Sequence, residues 1–175
     1  MIRSDNNKIG IFGGSFDPPH KGHLEISKIA IEKLSLDKLY WCITKKNPFK
    51  EKTLFSLKKR IEKSKNITKK IKKITIKYFD KKINSANTID LIEYLYKINK
   101  KNTFFLIIGS DNLINFHKWK KWKLLTKLTK IAVFSRKDYD IKAKKSVIVK
   151  KVKKILFIKN KQINISSTQI REKLS

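Results

Sequence analysis

The chain of 175 residues has little of most things that specialise a protein. Cys42 is its only cysteine, so an intrachain disulfide and a cysteine zinc cluster are both excluded. Cys42 lies in the apolar run LYWCI, where a buried, inert thiol is expected. No apolar run approaches the roughly 18 residues of a membrane span. The start, MIRSDNNKIG, lacks the apolar core of a signal peptide. A cytoplasmic protein with no membrane partner is the expectation.

Negative charge is also scarce, with 14 acidic residues against 44 Lys and Arg and a net charge of +30. Clustered cations would point to nucleic acid, because they release phosphate counterions. Here the lysines are spread along the whole chain, and only Arg3, Arg60, Arg136 and Arg171 are arginine. That pattern reads as drift toward lysine on solvated faces, so no specific nucleic-acid partner is expected. The field still draws anionic ligands toward the molecule at low salt.

The elements that can be read alternate in type, with no repeat or linker dividing the chain. Apolar β-type runs are expected at 8–12, 38–44, 73–79, 104–109, 131–136, 146–150 and 155–159. Helices are expected at 23–34, near 55–66, at 87–98 and across 111–128, with a short one in TQIREKL at the far end. Strands separated by helices imply parallel pairing through right-handed crossovers. The expected fold is α/β: a doubly wound, Rossmann-like, mainly parallel sheet with helices on both faces, and one domain over 1–175. Ligands of such sheets bind beyond the carboxyl ends of the strands, where Gly13, Gly14 and Gly109 fall.

The scarce residues are concentrated there. GGSFDPPHKGH (13–23) holds two of three prolines and two of three histidines, and four of five glycines lie in it or just before it. Gly13 and Gly14 can take positive φ and admit a ligand close to the backbone. Pro18 and Pro19 stiffen the loop. A helix beginning about His20–Gly22 turns its free N–H groups toward the loop. His20 and His23 share one face of that first turn. Two imidazoles beside open glycine backbone make a polyphosphate site, able to donate to charge developing on phosphoryl oxygens.

GGSFDPPHKGH resembles the signature of the HxGH nucleotidyltransferases, with His20-Lys21-Gly22-His23 as the HxGH element. ISSTQIR (165–171) resembles the ISSTxIR element of the same superfamily. Physically, Ser166, Ser167 and Thr168 supply short hydroxyls and Arg171 a planar guanidinium for phosphate oxygens. IIGSDNLINFHKW (107–119), SANTIDLIEYL (85–95) and IAVFSR (131–136) resemble segments of the bacterial nicotinate-nucleotide adenylyltransferases.

That resemblance implies a reaction: ATP and nicotinate mononucleotide give deamido-NAD and pyrophosphate, by direct in-line attack on the α-phosphorus. It implies His20 and His23 as catalytic residues. On the ATP side it implies Gly13, Gly14, Ser15, Phe16, Gly109, Asp111, Ser166, Ser167, Thr168 and Arg171. On the mononucleotide side it implies Asn47, Lys50, Thr88, Trp119 and Arg136. Mg²⁺ would arrive with ATP, since no dedicated carboxylate cage is evident.

Other readings stay beside these. Asp111 suits a helix cap as well as a ribose ligand, and Trp119 and Trp122, three apart on the expected helix, leave one of the pair for the core. His117 reads as an ordinary surface or partly buried histidine. TKKNPFKEK (44–52) departs from the family's Pro-Asn-x-x-Pro-Pro pattern, missing the first Pro and shortening the loop, so Lys45, Lys46 or Lys50 can each serve the acceptor phosphate. Nicotinamide mononucleotide and phosphopantetheine are the alternative acceptors, and an inactive transferase scaffold that binds nucleic acid is the alternative of another class. A homo-oligomer is compatible with all of this.

Overall fold

The computed structural model describes residues 6–45, 53–152, 155–160 and 167–172. In chain order its elements are β1 (Lys8–Gly14), α1 (Lys21–Lys33), β2 (Lys38–Ile43), α2 (Leu57–Thr68), β3 (Ile74–Lys77), α3 (Asp80–Ile83), α4 (Thr88–Ile98), β4 (Thr103–Gly109) and α5 (Ser110–Ile114). A single 3₁₀ turn (Phe116–Lys118) follows, then α6 (Trp122–Leu128), β5 (Lys130–Phe134), α7 (Asp140–Lys144), α8 (Val147–Lys151), β6 (Ile155–Ile158) and α9 (Ser167–Glu172). The strands form one sheet in the order β3-β2-β1-β4-β5-β6, and every pairing is parallel. The fold is therefore the expected Rossmann-like α/β sheet, with the strand order reversing between β1 and β4.

Side chains alternate across a strand, and the central strands are apolar on both faces. Phe104, Leu106 and Ile108 of β4 join one core cluster with Ile89, Ile92 and Leu95 of α4. Phe105 and Ile107 join the other, with Ala30 of α1 and with Leu36, Leu39, Trp41 and Ile43. Ile89, Ile92 and Leu95 recur at helical spacing, which is why this stretch coils and lies on the sheet. α1 and α2 thus cover one face, and α4 to α8 the other.

Two expectations fail. The run 146–150, read as a strand, is helix α8. Five β-branched-rich residues do not fix an element type by pattern alone. The free edge of β5 is occupied by β6, and Ile148 is buried among the residues of the α4 face. The stretch 111–128 is not one helix but α5, the 3₁₀ turn and α6. Trp119 is extended (ψ 143°), and Lys121 takes the left-handed conformation (φ 48°). This break seats the Trp119 ring on the buried Phe116, with centroids 4.8 Å apart, and removes Trp122 to the start of α6.

Candidate active site

The strand order reverses where β1 and β4 lie side by side, and that is where a doubly wound sheet opens a crevice. Gly13 and Gly14 close β1 in extended conformation, and no glycine takes positive φ. The left-handed turn falls instead on Phe16, at φ 47°. What Gly13 contributes is space: a Cβ built there meets nothing within 4 Å. Ser15 and Phe16 are both buried, and the Phe16 ring stacks on Trp41 with centroids 4.6 Å apart. Asp17 is buried too, and its carboxylate accepts from the backbone N–H of Leu54 (2.7 Å) and Phe55 (2.9 Å).

His20 caps α1, and both histidine rings accept backbone N–H groups of this first turn. The Gly22 N–H donates to His20 Nδ1 (3.1 Å), and the His20 N–H donates to His23 Nδ1 (3.2 Å). An N–H can donate only to an unprotonated ring nitrogen, so both imidazoles carry their proton on Nε2. Their rings are 3.8 Å apart, and the His23 ring is backed by Phe12, Phe16 and Trp41. Trp41 Nε1–H donates to Ser27 Oγ (2.7 Å), which donates to the His23 carbonyl (2.8 Å), tying this first turn to β2. Burial, and after it the Arg136 cation, hold the His20 imidazole down at about 4, so it is neutral near pH 7. His20 Nε2 is buried with no hydrogen-bond partner among the described residues. An unsatisfied buried donor costs about 1–3 kcal/mol. An anionic acceptor would relieve that cost.

The two distant signatures meet. Arg171 Nη1 donates to the Asp17 carbonyl (2.8 Å), and Ser167 Oγ to the Pro18 carbonyl (3.0 Å). Arg171 Nη2 also donates to Thr168 Oγ1 (2.9 Å). α9 therefore docks on the β1–α1 loop. Ser166, like Asn47 and Lys50, lies outside the described residues.

At the end of β4, the Asp111 side chain folds back over Gly109, whose missing Cβ makes room for its carboxylate. Arg136 Nη1 donates to Asp111 Oδ2 (2.6 Å), and the Arg136 N–H donates to Ser110 Oγ (3.0 Å). The sequence resemblance puts Arg136 with the mononucleotide residues. It stands beside Asp111, close enough to depress His20.

Beneath the other side of the loop is a cavity of about 410 Å³, lined by Gly13, Gly14, Thr44, Thr88, Trp119 and Lys120 among others. Thr88 opens α4, and Trp119, stacked on Phe116, is among the lining residues. Cys42 also lines it, as the buried thiol expected, with burial pushing it up to about 12. Among the described residues no cluster of three His, Cys, Asp or Glu side chains is arranged to hold a metal ion. No helix of the described residues is long and apolar enough to cross a membrane.

Sequence reasoning misses Arg60, Asp17 and Asp80. Arg60 is buried in α2, yet its guanidinium reaches the carbonyls of Ser15, Thr44, Lys45 and Phe55. Asp80 lines the cavity and accepts from the Lys45 N–H (2.8 Å). One signal is available: in a chain that uses lysine almost everywhere, an arginine marks a place where a point charge will not serve.

A sequence profile described as cytidylyltransferase-like matches residues 11–173. The chain is 48% identical over 180 residues to the Pelagibacter ubique (strain HTCC1062) protein named "Probable nicotinate-nucleotide adenylyltransferase", covering 98% of this chain and 99% of that one. A protein of the same name from Campylobacter fetus subsp. fetus (strain 82-40) is 37% identical over 167 residues, 95% of this chain and 86% of the relative. Among solved structures, the fold is similar to Plasmodium falciparum nicotinic acid mononucleotide adenylyltransferase complexed with APC. That likeness has a TM-score of 0.79 at 21% identity, over 95% of this chain and 83% of the other. The same enzyme complexed with NaAD gives 0.77 at 22% identity, over 97% and 84%.

Proposed function

Because the chain belongs to the cytidylyltransferase-like family and, within it, to the nicotinate-nucleotide adenylyltransferases, we propose that His20 and His23 drive adenylyl transfer from ATP to nicotinate mononucleotide. The products are deamido-NAD and pyrophosphate, and residues 1–175 act as one cytoplasmic transferase domain. The observation that carries the reading is the imidazole pair. Both protons sit on Nε2, and that of the buried His20 has no acceptor among the described residues.

The acceptor's phosphate needs no general base, since its second pKa is about 6 and it is largely dianionic at pH 7. One of its oxygens attacks the α-phosphorus, the bond from that phosphorus to the bridging oxygen of the β-phosphate breaks, and pyrophosphate leaves with the electron pair. Negative charge spreads over the phosphoryl oxygens as this happens, and donors already aimed at those oxygens stabilise it most strongly. Neutral histidines serve as such donors. A Mg²⁺ ion arriving with ATP would supply charge neutralisation for the leaving pyrophosphate.

The adenosine belongs with Gly109, Asp111 and Arg136, and the triphosphate with Gly13, Gly14, His20, Arg171 and the hydroxyls of Ser167 and Thr168. Ser15 and Phe16, both buried, shape that loop rather than offer side chains. The mononucleotide belongs in the cavity of Thr88 and Trp119, its electron-poor pyridine ring on the indole. Pyrophosphate release with a panel of acceptors tests the reading. Nicotinate mononucleotide is expected to turn over well above nicotinamide mononucleotide and phosphopantetheine. A flat or inverted ranking would sink the assignment.

A further inference from the structure

Arg60 is an arginine with 1% of its surface exposed, and among the described residues it forms no ion pair with a carboxylate. A buried charge survives only when hydrogen bonds replace its hydration. Backbone carbonyls do so here. Nε donates to the Phe55 carbonyl (3.1 Å), Nη1 to those of Ser15 (2.6 Å) and Thr44 (2.8 Å), and Nη2 to that of Lys45 (3.0 Å). Burial lowers its pKa, and the nearby carboxylates of Asp17 and Asp80 oppose that.

The position of these carbonyls is what matters. β1 and β2 run side by side to Gly14 and Ile43, and the Thr44 N–H still donates to the Gly14 carbonyl (3.0 Å). One residue further, the ladder ends and the chains part. Ser15 leads into the histidine loop, while Thr44 lines the cavity. Arg60 Nη1 lies between their carbonyls, bridging the two chains where the strands no longer do. The neighbouring contacts reinforce this. Asp80 holds the Lys45 amide while Arg60 holds the Lys45 carbonyl, and Asp17 of the histidine loop holds the amide of Phe55, whose carbonyl Arg60 also takes.

Resting on the reading given above, we propose that Arg60 is a positioning residue for the transfer reaction. Its guanidinium fixes the phosphate-holding loop after β1 against the acceptor-side segment after β2. It touches neither substrate. In-line transfer requires the attacking oxygen and the α-phosphorus at about 3–3.5 Å, and a displacement near 1 Å costs on the order of 10²-fold. Each loop can hold its own substrate well while the pair is out of register. A planar fork with several fixed donors meets this demand; an ammonium on a flexible stem does not.

The test is Arg60→Lys, which keeps the charge and removes the fork. Its kcat is expected to fall on the order of 10²-fold. The affinities for a non-hydrolysable ATP analogue and for the mononucleotide, each measured alone by calorimetry, are expected to stay near those of the parent protein. Parent-like kcat per folded molecule would overturn the proposal, as would a loss of kcat and both affinities in step with thermal stability. Should Arg60→Lys fail to fold, Asp80→Ala reads the same coupling from the acceptor side without opening the core. Its kcat is expected to fall with affinity for the ATP analogue intact, and parent-like kcat would overturn the proposal. The acceptor assignment is judged separately, on the parent protein's panel. A different preferred acceptor changes that ranking and leaves the ratio of variant to parent as the measure of Arg60.

Discussion

The proposed phosphate side and the proposed acceptor side of this crevice are built in contrasting ways. The histidine pair at the centre of the phosphate side is local: within four residues the His20 ring accepts the Gly22 N–H, the His23 ring accepts the His20 N–H, and both tautomers are fixed. From far along the chain, α9 brings Ser167 and Arg171 to the rim. The acceptor side is assembled from Thr44 after β2, Thr88 at the start of α4 and Trp119 after the 3₁₀ turn. It is walled largely by apolar groups, including Ile11, Ile43, Phe79 and Ile108. A developing phosphoryl charge needs donors set to within a fraction of an ångström, and a short covalent span delivers that. A flat aromatic ring needs a slot and a platform, which distant segments can supply.

The largest expected effect breaks the local side. His20→Ala or His23→Ala should each lower kcat on the order of 10²–10³-fold, as the loss of a transition-state donor does. Steady-state pyrophosphate release measures it. If His23→Ala turned over like the parent protein, the imidazole pair would be structural and the contrast would lose its chemical basis.

Smaller and more selective effects sharpen it. Trp119→Ala should raise KM for the mononucleotide about tenfold or more, since a stacked base is worth about 1–3 kcal/mol. KM for ATP should stay put. Arg136→Ala should do the reverse, raising KM for ATP, because Arg136 pairs with Asp111 and its charge is felt at His20. A rise in mononucleotide KM alone for Arg136→Ala would return that arginine to the acceptor side, where sequence resemblance puts it.

The same contrast governs what can be read from the sequence. The parallel sheet is legible because each central strand is a short apolar run and α4 repeats apolar residues at helical spacing. The histidine loop is legible because its parts are contiguous. Run 146–150 and stretch 111–128 mislead because packing decides them: Ile148 and Phe116 are buried by contacts that no local pattern encodes. Asp17, Arg60 and Asp80 are invisible for a related reason. Their partners are backbone atoms of distant residues, and backbone atoms leave no mark in a sequence. Of the four arginines, Arg60, Arg136 and Arg171 all make multiple hydrogen bonds around the crevice, so the rarity of the residue is itself the usable sign.

The smallest expected effect concerns pH, and it separates the capping role of His20 from its chemistry. In the unfolded chain its imidazole titrates near 6.5, and in the folded protein burial and then Arg136 hold it at about 4. Between those values only the unfolded chain takes up the proton. This group's contribution to stability is therefore intact above about pH 6.5, is lost as pH falls toward 4, and loses nothing further below that. Protonating Nδ1 would also remove the acceptor of the Gly22 N–H and put a cation at the start of α1. His20→Asn keeps a side-chain oxygen that can cap the helix and has no proton to gain. Its Tm should decline less than the parent's between pH 6.5 and 4, while the carboxylates common to both proteins cancel in the difference. Parallel Tm–pH curves would mean that His20 is as easily protonated folded as unfolded, and the neutral donor would have to be argued again from ligand-bound geometry.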